Sequence, residues 1–357
     1  MITKIHRMEL PREILIGDNV IDQIPEVSKK LGLKESAFII TGKRTFEILG
    51  RKIIDYLKDS GFKIEFHIAE STNSSEVKSG EKKISAFKPE VVFGVGGGSK
   101  IDLAKYCAWK LKLPFISVPS SASHDGIASP VASIESFGKP YSIMTQSPIA
   151  IIVDTEIIIQ SPYRLIASGC GDVLAKFTAV KDWELAHKVK NEYYGRYAAS
   201  LAELGAKHIV DNAGSIKPDN KEGLSVLLEA LISCGVSMGI AGSSRPCSGS
   251  EHLFSHALKM LKGYPPLHGE SCGIGTILMA YIHGMDWRKI KETLHEVGAP
   301  TTAEDLKIDK ETIVRAILLA GKIRPERYTI LNMKKLDSEE AWTVAVNTGV
   351  IEDSNRT

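Results

Sequence analysis

The sequence predicts an α/β N-terminal domain over residues 1–160 and an all-helical domain over residues 161–357. Three observations lead there. Short β-rich runs alternate with helical patterns through the first 160 residues; a cluster of glycines joins one of those runs directly to a helix; and after Ser161-Pro162 period-two alternation disappears.

In chain order, Ser36–Thr41 (SAFIIT) reads as a strand and Arg44–Ser60 as an amphipathic helix. Lys63–Ile68 is the next strand and Glu76–Phe87 the next helix. Val91, Val92, Phe93 and Val95 are β-branched or aromatic and too few for a buried helix, so they predict a buried strand. Leu113–Pro119 (LPFISVP) and Ala150–Asp154 (AIIVD) follow. Strands separated by helices of this length pair in parallel through right-handed crossovers, and ligands gather beyond the carboxyl ends of such strands. The second half reads as helices over 165–188, 195–212, 221–240, 249–262, 269–284, 287–296, 310–321 and 338–351. No internal repeat or low-complexity stretch interrupts them, and Asn212–Glu222 is a polar connection.

The chain is organised around Glu90–Lys112, EVVFGVGGGSKIDLAKYCAWKLK, the outline of a strand, an anion-cradling turn and a helix. Gly96, Gly97 and Gly98 lack a Cβ, so the backbone there can take positive φ and admit a bulky anion close to its N–H groups. Ser99 and Asp102 stand three apart in a capping-box arrangement, which would open the helix and aim its free N–H groups at the turn, where a pyrophosphate is well held. The pattern departs from GxGxxG, since Ser99 stands where the last glycine belongs, and the acidic residue about twenty positions later is missing. The loop Pro119–Gly126 (PSSASHDG) follows a strand and is dense in hydroxyls; it reads either as a polar turn or as a surface on which Ser120–Ser123 touch a cofactor while Asp125 faces a substrate. A Ser/His/Asp hydrolase is disfavoured because no GxSxG elbow is present.

Composition narrows the classes further. The 357 residues are 43% hydrophobic and 25% charged with a net charge of +2, so any anion must be held locally, and neither a nucleic-acid footprint nor a polybasic membrane patch is expected. Five cysteines, Cys107, Cys170, Cys234, Cys247 and Cys272, are scattered without a CxxC pair, which argues against a zinc knot or disulfide framework and for a reducing cytoplasm. The N-terminus lacks an apolar signal core, and no uninterrupted apolar run is expected to span a bilayer.

In the second half, Ser250–His256 places His252 and His256 four apart on one helical face, and His268 follows sixteen residues after His252 in a loop that leads into the next helix. Two imidazoles from separate segments plus a carboxylate make the three-ligand set of a catalytic zinc site with an open position; helix-surface histidines are the competing reading. The carboxylate candidate is Asp172, in Ser168–Lys176, expected to open the first helix of the helical domain, where it would otherwise serve as an N-cap. The loop Ser243–Ser250 carries Arg245 before a helix N-terminus and is a candidate phosphate site.

Taken together, GVGGGSKIDLAKY, PSSASHDGIASP, SGCGDVLAK, GSEHLFSHALK and PPLHGESCGIG resemble the metal-dependent polyol and iron-type alcohol dehydrogenase superfamily, and within it look most like the archaeal sn-glycerol-1-phosphate dehydrogenases. The resemblance implies a Rossmann-like dinucleotide-binding domain followed by a helical metal- and substrate-binding domain, the dehydroquinate synthase-like fold. It implies that Gly96, Gly97, Gly98, Ser99 and Lys100 hold the pyrophosphate of NAD(P)H, helped by Ser120, Ser121, Ala122, Ser123 and Ser129. Asp172, His252 and His268 fall on metal-ligand positions, usually one Zn2+ per subunit. Asp125, His256 and Asp172 fall on substrate-contacting positions. The implied reaction reduces dihydroxyacetone phosphate to sn-glycerol 1-phosphate for archaeal membrane lipids in a cytoplasmic homo-oligomer.

Cofactor choice and rivals remain open at this level. No acidic residue stands in Ile39–Arg44 near the expected adenosine ribose, and Lys43 and Arg44 leave NADPH as well as NADH acceptable. A glycerol or other small-polyol dehydrogenase, a lyase like dehydroquinate synthase, and a nucleotide-binding protein without catalysis are the alternatives.

Overall fold

The structure, a computed structural model, describes residues 6–136, 139–262 and 266–352. The chain divides into two compact units, Met1–Pro162 and Tyr163–Thr357.

The first unit is built on a six-stranded sheet. Its strands are β1 (Glu13–Gly17), β2 (Ser36–Thr41), β3 (Lys63–Ile68), β4 (Val91–Gly96), β5 (Phe115–Pro119) and, after a hairpin, β8 (Ala150–Asp154), in the spatial order β1-β8-β5-β4-β2-β3 and all parallel. Every residue of β4 is buried, as a central strand covered on both faces requires. Alternation along β2 sends Ala37 and Ile39 into one apolar layer and Phe38 and Ile40 into the other. The predicted strands thus pair as expected, while β1 and the antiparallel hairpin of β6 (Val131–Ser136) and β7 (Lys139–Met144) carry no sequence signal that singled them out. Order reverses between β2 and β4, and β4 neighbours β5, so the glycine turn and the serine-rich loop, which leave the carboxyl ends of β4 and β5, start side by side at that switch point.

The second unit contains helices and no strand among the described residues. The helix expected over 165–188 is two, Tyr163–Leu174 and Lys176–Lys190, parted at Ala175. One helix, Lys221–Ala241, is long and apolar enough to cross a membrane, although Glu229 interrupts its apolar run. It packs against Arg196–Asn212, and 78% of its apolar window is buried inside the protein, so its composition answers to the core.

Candidate metal centre and glycine turn

The glycine turn joins β4 to the helix Gly98–Lys110. Only Gly96 takes positive φ, at 143°; Gly97 is the extended N-cap at −72°. The requirement at Gly98 is space instead, because a Cβ there would lie 2.6 Å from two ring carbons of His124, with Nε2 nearer still. The expected capping box is not formed: Ser99 lies inside the helix, no side chain caps its N-terminus, and Asp102 instead accepts from Ser133 N–H at 3.0 Å and faces Lys105 Nζ at 3.3 Å. An uncapped N-terminus leaves its N–H groups for a ligand.

Lys105 was not singled out by the sequence, yet its side chain is fully buried. Its ammonium donates to the carbonyls of Gly126 at 2.9 Å and Val131 at 2.7 Å, clamping the serine-rich loop to the helix. A lysine three residues after an aspartate on an otherwise apolar helix face is the signal that would have found it. Ser120 N–H donates to Gly96 O at 3.0 Å, and His124 Nδ1 accepts from Gly126 N–H at 2.9 Å. Ser121, Ala122 and Ser129 are buried, Ser120, Ser123 and Asp125 half-buried, and Asp125 begins a short turn over Asp125–Ile127. The Lys100 stem packs against Gly42 at the end of β2, and burial lowers its pKa against the opposing pull of Glu76 and Glu70. Gly96–Lys100 and Ser120–Ser129 therefore lie around neighbouring strand ends in one unit. Lys43 and Arg44 are exposed at the start of the helix after β2.

In the second unit, Asp172, His252 and His268 converge. Asp172 Oδ1 lies 3.5 Å from His252 Nε2 and 3.9 Å from His268 Nε2, and the two imidazole rings stand 5.0 Å apart at 66°. Two local expectations change. Asp172 does not open a helix but sits near the end of Tyr163–Leu174, pairing with the fully buried Lys176 at 2.8 Å instead of capping. His268 is the first residue of the helix His268–His283 instead of a loop residue, and Tyr264 and Pro265, which lead towards it, lie outside the described residues.

Cys272 joins the group one turn after His268, its Sγ 3.7 Å from His268 Nε2, so that one donor atom from each of the four residues lies within 4.8 Å of every other. The i, i+4 spacing of His268 and Cys272 is legible in the sequence, but a lone cysteine without a CxxC partner carries little metal signal of its own. Donors on one tetrahedral zinc, with bonds of about 2.0–2.3 Å, stand roughly 3.3–3.7 Å apart, so this donor set suits a borderline-soft divalent cation.

Glu251 is the supporting group. Its carboxylate meets His252 Nδ1 at 2.8 Å, leaving Nε2 to face Asp172, and is itself held by Gly249 N–H at 2.6 Å and Thr178 Oγ1 at 2.8 Å. The electrostatics agree with a cation site. Burial opposes charge throughout, but Lys176 and the two imidazoles hold the Asp172 carboxyl well below its usual range. Cys272, Asp172 and Glu251 likewise outweigh burial to hold His252 well above its own. Burial would raise the Cys272 thiol, but His252 and His268 bring it down to about 6. His256 behaves oppositely. It does not join the cluster; burial first, then Arg324, His268, His252 and Lys259, keep it well below the usual imidazole range and therefore neutral.

Arg245 is not available to a substrate. Its Nε donates to Glu192 Oε1 at 2.6 Å, its Nη2 pairs with the other carboxylate oxygen, and its Nη1 donates to Tyr328 O at 3.0 Å, with the residue 5% exposed.

Residues 15–162 match the family model described as iron-containing alcohol dehydrogenase. The chain is 48% identical to a glycerol-1-phosphate dehydrogenase [NAD(P)+] of Thermococcus sibiricus over 98% of this chain and 100% of the relative. It is 49% identical to that of Thermococcus kodakarensis over 98% and 99%, and 47% identical to that of Methanosarcina barkeri over 96% of each. In fold it is similar to a glycerol dehydrogenase from Schizosaccharomyces pombe (TM-score 0.79, 21% identity, 97% of this chain and 91% of that one). It is also similar to a 1,3-propanediol oxidoreductase (TM-score 0.75, 16% identity, 97% and 100%). With about half of its residues shared along nearly its full length, the chain belongs to the glycerol-1-phosphate dehydrogenase family.

Proposed function

We propose that this protein is a cytoplasmic, homo-oligomeric, NAD(P)H-dependent oxidoreductase that reduces dihydroxyacetone phosphate to sn-glycerol 1-phosphate, the glycerophosphate enantiomer on which archaeal membrane lipids are built. The observation that carries this reading is the meeting of Asp172, His252 and His268 in a chain so similar to glycerol-1-phosphate dehydrogenases.

Residues up to about 160 bind the dinucleotide. Gly96, Gly97, Gly98, Ser99 and Lys100 take its pyrophosphate against the uncapped helix N-terminus, and Ser120, Ser121, Ala122, Ser123 and Ser129 line its path. Residues from about 161 bind metal and substrate, with Asp172, His252 and His268 holding one Zn2+. When bound, the cation supplies Lewis-acid polarisation of a ketone oxygen and the reduced nicotinamide supplies a hydride.

The chain's own residues do the rest. Glu251 fixes the His252 ring so that one nitrogen faces the site, and Lys176 offsets the negative charge of Asp172 in a buried setting. Asp172 has a second role in orienting the substrate. His256, one turn beyond His252 and held neutral, can accept a proton at one nitrogen while giving one from the other, so it is the relay to the nascent alkoxide, with Asp125 contacting the substrate.

The test is NAD(P)H oxidation with dihydroxyacetone phosphate, followed by chiral analysis of the product. Turnover giving sn-glycerol 1-phosphate supports the reading. Activity with dihydroxyacetone but not its phosphate would replace it with a small-polyol dehydrogenase, and reaction without net consumption of the reduced cofactor would replace it with a lyase. Comparing kcat/KM for NADPH and NADH tests the exposed Lys43 and Arg44 as a 2′-phosphate contact; strict NADH preference counts against them.

A further inference from the structure

Once Arg245 is neutralised by Glu192, a second arginine site stands out beside it. Asp182 is fully buried and binds two chain segments together: its Oδ2 accepts from Ser250 N–H at 2.6 Å and its Oδ1 from Ile330 N–H at 2.7 Å. This brings the segment Arg324–Thr329 against the loop that enters the His252 helix. There Arg327 Nη2 donates to Ser244 Oγ at 2.7 Å and its Nη1 donates to Ser248 O, four residues before His252. Arg324 ends the helix Lys310–Ile323, which packs along Ser250–Leu261, the helix that carries His252 and His256.

Neither guanidinium has a carboxylate within ion-pair distance among the described residues. The two nearest candidates are engaged elsewhere, Glu192 by Arg245 and Glu251 by His252, Gly249 and Thr178. Two half-buried cations that lack a counter-ion and stand next to a third guanidinium are costly in the absence of an anion. The electrostatics register that imbalance: burial, then Arg245 and Arg324, bring Arg327 down to about 10, and Arg324 is the leading charge that depresses His256. A dianion with three oxygens matches two guanidinium forks better than any single carboxylate.

We infer that Arg324 and Arg327, with the Ser244 hydroxyl that Arg327 meets, form the subsite for the phosphate of a phosphorylated ketone or alcohol, set beside the helix of His252 and His256. This deepens the proposed function and rests on it for the rest of the substrate. An uncharged polyol would leave the two cations uncompensated, so the subsite selects for the phosphorylated compound.

The experiment pairs calorimetric titration of the metal-loaded protein with inorganic phosphate and steady-state kinetics on dihydroxyacetone phosphate and dihydroxyacetone. The variants are Arg324→Gln, Arg327→Gln and Arg324→Lys. Because charge-assisted hydrogen bonds are lost, each Gln variant should weaken phosphate binding by on the order of tenfold or more and lower the ratio of kcat/KM for the phosphorylated over the free ketone by a similar factor. Arg324→Lys should recover part of both. Arg327 also holds the Ser244–Ser248 loop, so Arg324→Gln, which leaves those loop hydrogen bonds in place, carries the test if Arg327→Gln unfolds. If the wild type reduces dihydroxyacetone phosphate and both Gln variants keep its phosphate affinity and substrate ratio, the subsite is overturned and the function stands. If the wild type fails on dihydroxyacetone phosphate but binds phosphate through these arginines, the function falls and the subsite stands. A wild type that binds no phosphate overturns the subsite.

Discussion

Replacing Gly269 by alanine should dismantle the proposed metal centre without touching any of its proposed ligands. Gly269 follows His268 and lies against the helix of Asp172: a Cβ there would sit 2.6 Å from the Ser168 carbonyl carbon and 2.8 Å from Ser168 Oγ, with the carbonyl oxygen nearer still. Ordinary contact begins near 3.4 Å, and the obstacle is backbone, so the helices Tyr163–Leu174 and His268–His283 must part by about 1 Å or more. Asp172 Oδ1 and His268 Nε2 are already 3.9 Å apart. Two donors on one zinc cannot stand more than about 4.2 Å apart even on opposite sides of it, so the separation exceeds what a shared ion allows. Overpacking of this kind costs about 3 kcal/mol, which for a unit of this size lowers Tm by roughly 6–12 °C. Metal content after dialysis, measured by atomic emission, should drop with an affinity loss of about a hundredfold or more. A Gly269→Ala protein with one tightly held metal and an unchanged Tm would refute the claim that this close helix contact sets the ligand spacing.

Other perturbations separate the roles of neighbouring groups. His252→Ala and His268→Ala should each strip the metal and abolish turnover, whereas His256→Ala should keep the metal and lose rate; atomic emission beside steady-state assays tells them apart. Glu251→Gln should reduce metal affinity by about 10- to 100-fold, because the carboxylate that fixes the His252 ring is gone, and competition with a chelator measures it. In the first unit, Glu90 accepts from the backbone N–H groups of Glu35, Lys34 and Ser36, and these bonds, Glu35 first, hold its carboxyl below the ordinary value of 4.5. A carboxyl more acidic folded than unfolded stabilises fully above the unfolded value and less as the pH falls through the folded one. The Tm gap between wild type and Glu90→Gln should therefore be widest at neutral pH and narrow as the pH drops below 4.5; a gap independent of pH would contradict this.

Local chemistry was legible in the chain wherever it depends on neighbours in sequence. Period-two runs, the helical repeat after residue 160, the glycines before Ser99 and the i, i+4 histidines all encode short-range geometry, and β2, β3 and β8 span Ser36–Thr41, Lys63–Ile68 and Ala150–Asp154, as read from the residues. What depends on distant partners was not. Asp102 looked like a cap because Ser133, thirty-one residues on, is invisible to a local pattern. Arg245 looked like an anion site until Glu192 was seen to neutralise it, and Arg327 gave no signal because its neighbours, Ser244 and Ser248, are about eighty residues away. Asp172, His252, His268 and Cys272 come from three helices, and nothing in their spacing along the chain specifies that those helices touch; that is decided by close packing at residues such as Gly269. Residue type determines which atoms can bind an ion or a phosphate, and the tertiary structure alone decides which of them remain uncompensated and face one another.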